Sequence, residues 1–131
     1  MRRNRAGILL VEDNKIALIK RIKENRTYYV LPGGGIEKDE SYKEAALREA
    51  KEELGIDVEI DGSICFEDSG AHCYFFVRKY CGEFATGEGE EFSDNDHNQG
   101  EYLPCWVSIN QLEHMLIYPS VNKWIHKLNT R

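Results

Sequence analysis

The stretch GGIEKDESYKEAALREAKEELGI, Gly34–Ile56, carries the strongest local signals in this chain of 131 residues. Ser41 and Glu44 have the S-x-x-E spacing of a capping box, which marks the first turn of a helix. Gly55 stands where a glycine commonly ends a helix in the left-handed conformation. We therefore predict a helix from about Glu40 to Leu54.

This predicted helix has two faces. At about 100° per residue, Glu49, Glu52 and Glu53 fall within one arc of roughly 100°. The apolar face, centred about 130° away, is formed by Leu47, Ala50 and Leu54. Three neighbouring carboxylates repel one another, and a divalent cation would relieve the repulsion because such ions prefer carboxylate oxygen. An E-x-x-E-E pattern alone is nevertheless more typical of a solvated helix face.

The spacing of the whole stretch narrows this interpretation. Gly34, Glu40 and the run Arg48–Ile56 fit the pattern G-x5-E-x7-R-E-U-x-E-E-x-G-U, where U is a bulky aliphatic residue. Over these 23 positions the chain resembles the Nudix hydrolase family and its MutT-like members. Ala50 departs from the pattern at the first U, where a smaller residue still faces the core. The resemblance implies an α/β fold, a Nudix-type α/β/α sandwich with a mixed β-sheet, in a single domain spanning residues 1–131.

The resemblance also implies which residues carry the chemistry. Glu49, Glu52 and Glu53 would bind magnesium or manganese, and Gly33 would add its backbone carbonyl. Glu40 would lie at the edge of this cluster, where it binds an additional metal or holds water. Arg48 would pair with one of the glutamates. Such a site would hydrolyse a phosphoanhydride, because metal ions neutralise phosphate oxygens and activate water.

A general base is expected beyond the helix. Residues 82–101 read as a long acidic loop, for which the ordinary interpretation is a solvated surface segment. Nudix enzymes often take a base or an extra metal ligand from such a loop. Our first candidate for the base is Glu91 and our second is Glu90, while Glu49 itself is a third.

Residues for the rest of the substrate are less well defined. Arg21 or Lys20 would reach terminal phosphates, although basic residues here equally suit an exposed hairpin edge. Tyr74 occupies a position resembling the tyrosine of some dinucleoside-polyphosphate hydrolases. Strand alternation places Tyr74 and Phe76 on one face and Phe75 and Val77 on the other. The four histidines have no mutual ligand spacing, so we expect each to be a surface or packing residue.

The other elements follow from hydrophobic periodicity and turn residues. Pro32-Gly33-Gly34-Gly35 is expected to stop a strand. The predicted elements are a hairpin of Ala6–Val11 and Ile16–Ile19 with Asp13-Asn14 at its tip, strands Tyr28–Leu31, Val58–Phe66, Cys73–Tyr80 and Leu103–Ile109, a short helix from Ser108 to about Leu116 that opens on a second capping box with Gln111, and a final helix over Val121–Leu128.

Bulk properties exclude several classes of protein. The net charge of −6 argues against general nucleic-acid binding, and no apolar run reaches the roughly 20 residues of a membrane span. We expect a cytoplasmic protein without a secretory signal, and therefore four reduced cysteines. The expected partner is a small-molecule nucleoside diphosphate derivative, and the sequence leaves a homodimer open.

The predicted function is metal-dependent cleavage of the diphosphate linkage in a nucleoside diphosphate-X substrate, as in a nucleotide pyrophosphohydrolase. One alternative is a Nudix-fold sensor that binds a nucleotide without catalysis. The intact set of glutamates and Arg48 speaks against it, because a sensor would be free to lose metal ligands. The other alternative is a diphosphate isomerase on the same fold, using a cysteine such as Cys65 or Cys73.

Overall fold

A computed structural model describes residues 4–67, 70–85 and 101–119 of the protein. The elements within these ranges are β1 Arg5–Leu9, β2 Val11–Glu12, β3 Lys15–Lys23, β4 Arg26–Val30, β5 Gly33–Gly35, α1 Tyr42–Leu54, β6 Asp57–Glu67, β7 Ala71–Cys81, β8 Glu101–Ser108, a 3-10 helix Ile109–His114, and β9 Ile117–Tyr118.

The strands form two mixed sheets. The first has the order β5-β1-β7-β6, in which β1 and β7 are parallel and the other neighbours antiparallel. The second has the order β2-β3-β4-β9, with β8 on the other edge of β3, and only β4 and β9 are parallel in it. The predicted α/β class with mixed sheet pairing is confirmed.

Side-chain alternation along the strands divides the core into two clusters. Leu9, Leu18 and Tyr74 belong to one cluster, which extends to the 3-10 helix and Ile117. Ile8, Ala17 and Ile19 belong to the other, which packs against α1. Tyr74 and Phe76 fall in the first cluster, while Phe75 and Val77 pack against the second, as the alternation predicts.

The turn predicted at Asp13-Asn14 is present, and a second turn follows β3. Asp13 and Asn14 have φ angles of 53° and 62° and connect β2 to β3, while Glu24 and Asn25 connect β3 to β4. Asn and Asp are enriched at positive φ because their short side chains tolerate the left-handed region. The predicted loop between β6 and β7 includes residues 68 and 69, which lie outside the described residues.

Two predictions near the N-terminal half are wrong. Ala6–Val11 does not form one arm of a hairpin, because β1 pairs with β5 and β7 whereas β2 alone pairs with β3. The glycines after Pro32 do not end strand structure either, since they form β5 against β1. A Cβ at Gly33 would lie 2.8 Å from the Cα of Gly7, so the two strands can only approach this closely without side chains.

Two further predictions are corrected. Cys65 and Cys73 form a disulfide between β6 and β7, and Cys81 and Cys105 are free, so the cysteines are not all reduced. The second capping box is not formed: the Ser108 hydroxyl accepts from the Asn110 amide, and a 3-10 helix of 6 residues follows.

The predicted helix over residues 121–128 lies outside the described residues. Among the described residues, no helix combines the length and the hydropathy needed to span a bilayer.

Candidate active site

Helix α1 is fixed at both ends by the caps that its sequence predicts. The Ser41 hydroxyl accepts from the Glu44 amide at 3.0 Å, and the Glu44 carboxylate accepts from the Ser41 amide at 2.8 Å. Gly55 adopts φ 75° and donates its amide to the Lys51 carbonyl. Reciprocal capping satisfies amides that the first turn cannot pair internally, so the register of the glutamates that follow is well defined.

The three glutamates of α1 do not share one environment. Glu49 and Glu53 are buried, with 7% and 5% of their surface exposed, while the Glu52 side chain is 43% exposed. Leu47, which was assigned to the apolar face, is only partly buried. Glu49 and Glu53 are buried because α1 packs with this side against β1 and β5, which places both carboxylates beside the glycine strand.

Strand β5 meets these two carboxylates directly. The Gly33 amide donates to Glu53 Oε1 at 2.7 Å. At Gly34 a Cβ would lie 2.6 Å from the carboxyl carbon of Glu49, which is closer than two carbons can approach. The glycines therefore let the backbone come into contact with buried carboxylates.

Arg48 joins the helix to the segment before it. Its guanidinium binds both oxygens of Glu40, through Nε at 2.7 Å and Nη2 at 3.0 Å. Nη1 donates to Glu49 at 2.9 Å and to Glu52 at 3.2 Å, and Nη2 also donates to the Gly35 carbonyl at 3.0 Å. One arginine thus connects three carboxylates to β5.

These contacts shift the ionisation of both partners. The hydrogen bond to Glu40 is the largest cause that raises the pKa of Arg48 above its ordinary value. The hydrogen bond from Arg48 in turn lowers the pKa of Glu40 below 4.5, against the opposing effect of burial. Both groups are therefore charged near neutral pH.

An open pocket of about 850 Å³ lies beside Glu49, Glu53 and strand β5, which together we call the acidic wall. Its acidic side consists of Glu49 and Glu53 behind the glycine strand. Arg21 and Arg26, which lie on strands of the second sheet, also line the pocket, together with several aromatic residues. The remaining lining includes Arg5, Tyr28, Val30, His72, Tyr102, Tyr118 and Pro119. Carboxylates and guanidinium groups therefore face the same volume.

Aromatic rings contact the two arginines that the second sheet contributes to the pocket. The Arg21 guanidinium lies 3.7 Å from the centroid of Tyr102, and Arg26 lies 5.5 Å from that of Tyr28. Tyr28 meets Tyr118 edge to face at 5.7 Å. Cation–π contacts thus hold both guanidinium groups beside aromatic rings at the pocket lining.

Comparison with known proteins identifies the family. The sequence model of the NUDIX domain matches residues 1–128. The chain belongs to the Nudix family. The MutT-like resemblance of the Gly34–Ile56 box is thereby confirmed.

Individual Nudix relatives agree with this assignment. An RNA pyrophosphohydrolase of Pelagibacter ubique (strain HTCC1062) is 41% identical over 71 residues, which cover 50% of this chain and 45% of the relative. An RNA pyrophosphohydrolase of Orientia tsutsugamushi (strain Boryong) is 30% identical over 123 residues, covering 81% of this chain and 74% of the relative. The match thus spans less than half the length of the first of these curated relatives.

The fold agrees with solved Nudix structures. The MutT NUDIX hydrolase from Burkholderia pseudomallei superposes with a TM-score of 0.66 and 24% identity, covering 90% of this chain and 92% of that one. At this identity the likeness concerns the fold, and it confirms the α/β sandwich that the box implies.

The oxygen donors of the Nudix box fit a divalent cation. Glu49, Glu53 and the Gly33 carbonyl lie on the same wall of the pocket, and hard cations prefer such oxygen ligands. Within residues 4–67, 70–85 and 101–119, no three acidic, histidine or cysteine side chains converge as a ready-made metal site. In this arrangement Glu52 accepts from Arg48, while Glu53 accepts from the Gly33 amide.

The three residues predicted to bind substrate occupy different places in the structure. Arg21 lines the pocket. Lys20, its neighbour on β3, alternates to the opposite face of the sheet and does not line the pocket, so this prediction is corrected. Tyr74 is fully buried, with its hydroxyl 3.5 Å from His72 Nδ1, and does not line the pocket, so its assignment to substrate binding is also corrected.

Sequence reasoning missed several residues that line the pocket, among them Arg5, Arg26 and His72. Arg5 and Arg26 had no motif to mark them, because their position depends on which strands pair. His72 was expected to be a surface or packing residue, and it does pack, stacked on Phe66 at 5.2 Å. It is paired with Arg5 across β1 and β7, so an assignment of that strand pair would have placed it near the site. The candidate bases Glu90 and Glu91 lie outside the described residues.

Proposed function

We propose that this Nudix protein hydrolyses the diphosphate linkage of a nucleoside diphosphate derivative, with Mg²⁺ or Mn²⁺ as its cofactor. One observation carries the proposal: buried Glu49 and Glu53 contact the Gly33–Gly35 strand in a pocket that arginines also line. The negative charge of a diphosphate must be neutralised by cations, and a divalent cation in turn requires oxygen ligands such as these carboxylates. A substrate with its metal ion would therefore match both the arginines and the glutamates of the pocket. The names of the relatives, RNA pyrophosphohydrolases, support the class of bond.

Each residue of the acidic wall has a distinct part in this proposal. When bound to these oxygens, a divalent cation neutralises the phosphates and lowers the pKa of a coordinated water. Glu49, Glu52 and Glu53, with the Gly33 carbonyl, would hold that cation, and Glu40 would stand at its edge. The Gly33 amide orients Glu53 in advance, because the hydrogen bond fixes one of its two oxygens.

Arg48 is a positioning residue in this scheme. Its guanidinium fixes Glu40, Glu49 and Glu52 relative to one another, and its positive charge lowers the cost of placing three carboxylates close together. Arg48 is not itself a lining residue of the pocket, so we assign it no contact with the substrate.

The basic side of the pocket would bind the part of the substrate beyond the scissile linkage. Arg21, held on Tyr102, and Arg26, held on Tyr28, would contact phosphate oxygens, because a guanidinium edge suits a phosphate. The general base remains assigned in the order Glu91, Glu90 and Glu49. Its side chain would remove the proton from the attacking water.

Two alternatives are less well supported. A sensor that does not catalyse a reaction would not need the hydrogen bonds by which Arg48 holds three glutamates in place. An isomerase that uses a thiol conflicts with the structure at Cys65 and Cys73, because these two form a disulfide.

Substitution of the glutamates tests the proposal. Glu53→Gln and Glu52→Gln should abolish Mg²⁺-dependent turnover while the melting temperature changes little, because the amide keeps the size of the side chain and loses its charge. Glu113→Gln is the matched control, since Glu113 is exposed on the 3-10 helix and forms an ion pair with its neighbour His114, away from the pocket. Full activity of both variants would contradict the metal assignment.

The substrate and the base require separate experiments. Purified protein with Mg²⁺ should be screened against dNTPs, oxidised dNTPs, nucleotide sugars, ADP-ribose, dinucleoside polyphosphates and 5′-triphosphate RNA, with phosphate and diphosphate release as the readout. With the best substrate, Glu91→Gln should lower kcat about 10²–10⁴-fold if Glu91 is the base. An unchanged rate would move the role to Glu90 or Glu49.

A further inference from the structure

Arg5 contacts the backbone oxygen that the proposed metal site needs. Its Nη2 donates to the Gly33 carbonyl at 3.2 Å. The same carbonyl is the one backbone ligand that the family likeness assigns to a divalent cation. Arg5 also lines the pocket beside Glu49 and Glu53, so its positive charge lies on the acidic wall itself.

We propose that Arg5 is a positioning residue that binds the Gly33 carbonyl when no divalent cation is present and moves to a substrate phosphate when the cation arrives. This proposal rests on the proposed function, because it requires the cation to bind at the acidic wall. It assigns Arg5 two successive partners: a backbone oxygen in the metal-free protein and an anionic oxygen in the substrate complex.

The charges explain why Arg5 must move. A guanidinium stays protonated under all ordinary conditions, so it cannot give up its charge when a cation approaches. Two cations on one carbonyl oxygen repel each other, and the divalent ion also has Glu49 and Glu53 as ligands. The arginine is therefore the partner that leaves.

The strand pairing explains how Arg5 can move without disturbing the fold. Its backbone is fixed on both sides, opposite Gly35 of β5 and His72 of β7. The side chain alone extends into the pocket, and a long side chain has the reach to exchange Gly33 for an anion in the same volume. A phosphate is the preferred new partner, because guanidinium binds it through two parallel hydrogen bonds.

This exchange predicts opposite effects on metal and on substrate. Without Arg5 the Gly33 carbonyl is available, so Mn²⁺ should bind the substrate-free protein about 3- to 10-fold more tightly, the equivalent of one hydrogen bond. The substrate should bind more weakly, so that KM rises about 10-fold or more while kcat falls less. A residue with a purely structural role would not improve the binding of Mn²⁺.

The experiment is a titration of the full chain with Mn²⁺, followed by electron paramagnetic resonance, for wild type, Arg5→Ala and Arg26→Ala. Arg26→Ala is the matched control: it removes the same charge from the same pocket, but Arg26 contacts Tyr28 and not Gly33 in the described contacts. The proposal requires Arg5→Ala to tighten Mn²⁺ binding more than Arg26→Ala does. Arg5→Met, which matches the aliphatic stem of arginine and has no hydrogen-bond donor, serves if the alanine variant does not fold, and it should also tighten Mn²⁺ binding.

The outcomes separate this proposal from the function on which it rests. If wild type binds Mn²⁺ and Arg5→Ala binds it no more tightly than Arg26→Ala, the competition at Gly33 is refuted and the metal-dependent function stands. If Mn²⁺ fails to bind wild type at the acidic wall, which Glu53→Gln would reveal by leaving the titration unchanged, both are refuted.

Discussion

Replacing Gly34 with alanine tests how far catalysis depends on the position of one carboxylate. The new Cβ would lie 2.6 Å from the carboxyl carbon and 3.0 Å from Oε1 of Glu49, whereas ordinary contact begins at 3.4 Å. The φ angle of Gly34 is not positive, so alanine brings no backbone strain there and the effect falls on Glu49.

The structure gives the size of the displacement. Glu49 must withdraw by about 1 Å to restore normal van der Waals separation. Its hydrogen bond to Arg48, now 2.9 Å, would then be stretched beyond the normal range. A misplacement of about 1 Å in a catalytic site costs on the order of 10²-fold in rate, so we expect kcat to fall by about that factor. Overpacking should cost about 1–3 kcal/mol of stability.

The assay is Mg²⁺-dependent hydrolysis of the best substrate, with the free energy of unfolding measured on the same samples. Glu49→Asp provides the diagnostic partner, because its shorter side chain makes room for the new methyl group. Glu49→Asp should therefore reduce activity by a smaller factor in the Gly34→Ala background than in wild type. Additive effects, or full activity of Gly34→Ala, would refute the reasoning that the glycine exists to admit this carboxylate.

Two further predictions concern the stability of α1. Glu40→Gln should lower the free energy of unfolding by about 1–3 kcal/mol at pH 7, because it removes the charge that Arg48 binds. Since the pKa of Glu40 is lowered on folding, the stabilisation exists above its ordinary value of 4.5 and is lost as pH falls through the lowered value, so urea denaturation of the two proteins should converge in acid. Ser41→Ala should cost about 0.5–2 kcal/mol by the same measurement, because the Glu44 amide loses its acceptor, and no loss would mean that the capping box does not stabilise the helix.

Features set by neighbouring residues could be read from the sequence. The caps of α1 depend on Ser41, Glu44 and Gly55, all within a turn of the helix ends, and the turn at Asp13-Asn14 depends on two residues. The Nudix box combines such local signals at fixed spacing, which is why a single sequence sufficed to identify the family.

Features set by strand pairing could not be read in this way. The burial of Glu49 and Glu53 follows from β5, and β5 exists as a strand only because Arg5–Gly7 pair with Gly33–Gly35, almost 30 residues away. The same pairing brings Arg5 to the Gly33 carbonyl. A run of three glycines has low intrinsic strand propensity, so local reasoning assigned it to a turn when tertiary contacts make it a strand.

The separation of Lys20 from Arg21 shows an intermediate case. Alternation requires adjacent strand residues to face opposite sides, so only one of them can reach a pocket, and the sequence alone did not say which. The aromatic partners decide: Arg21 lies on Tyr102 of β8, its directly paired residue across the sheet.

The acidic and the basic residues of the pocket therefore come from different elements of the fold. The acidic wall that would break the linkage comes from α1 and β5, which are adjacent in sequence and rigidly joined through Arg48. The basic and aromatic side comes from β3, β4, β8 and β9, which belong to the other sheet. Substitutions at Arg21 or Arg26 should consequently change which substrate is accepted without altering the carboxylates. Arg5 is the exception, because it belongs to the basic residues by charge and to the acidic wall by its contact with Gly33, and so links the binding of metal to the binding of substrate in the mechanism we propose.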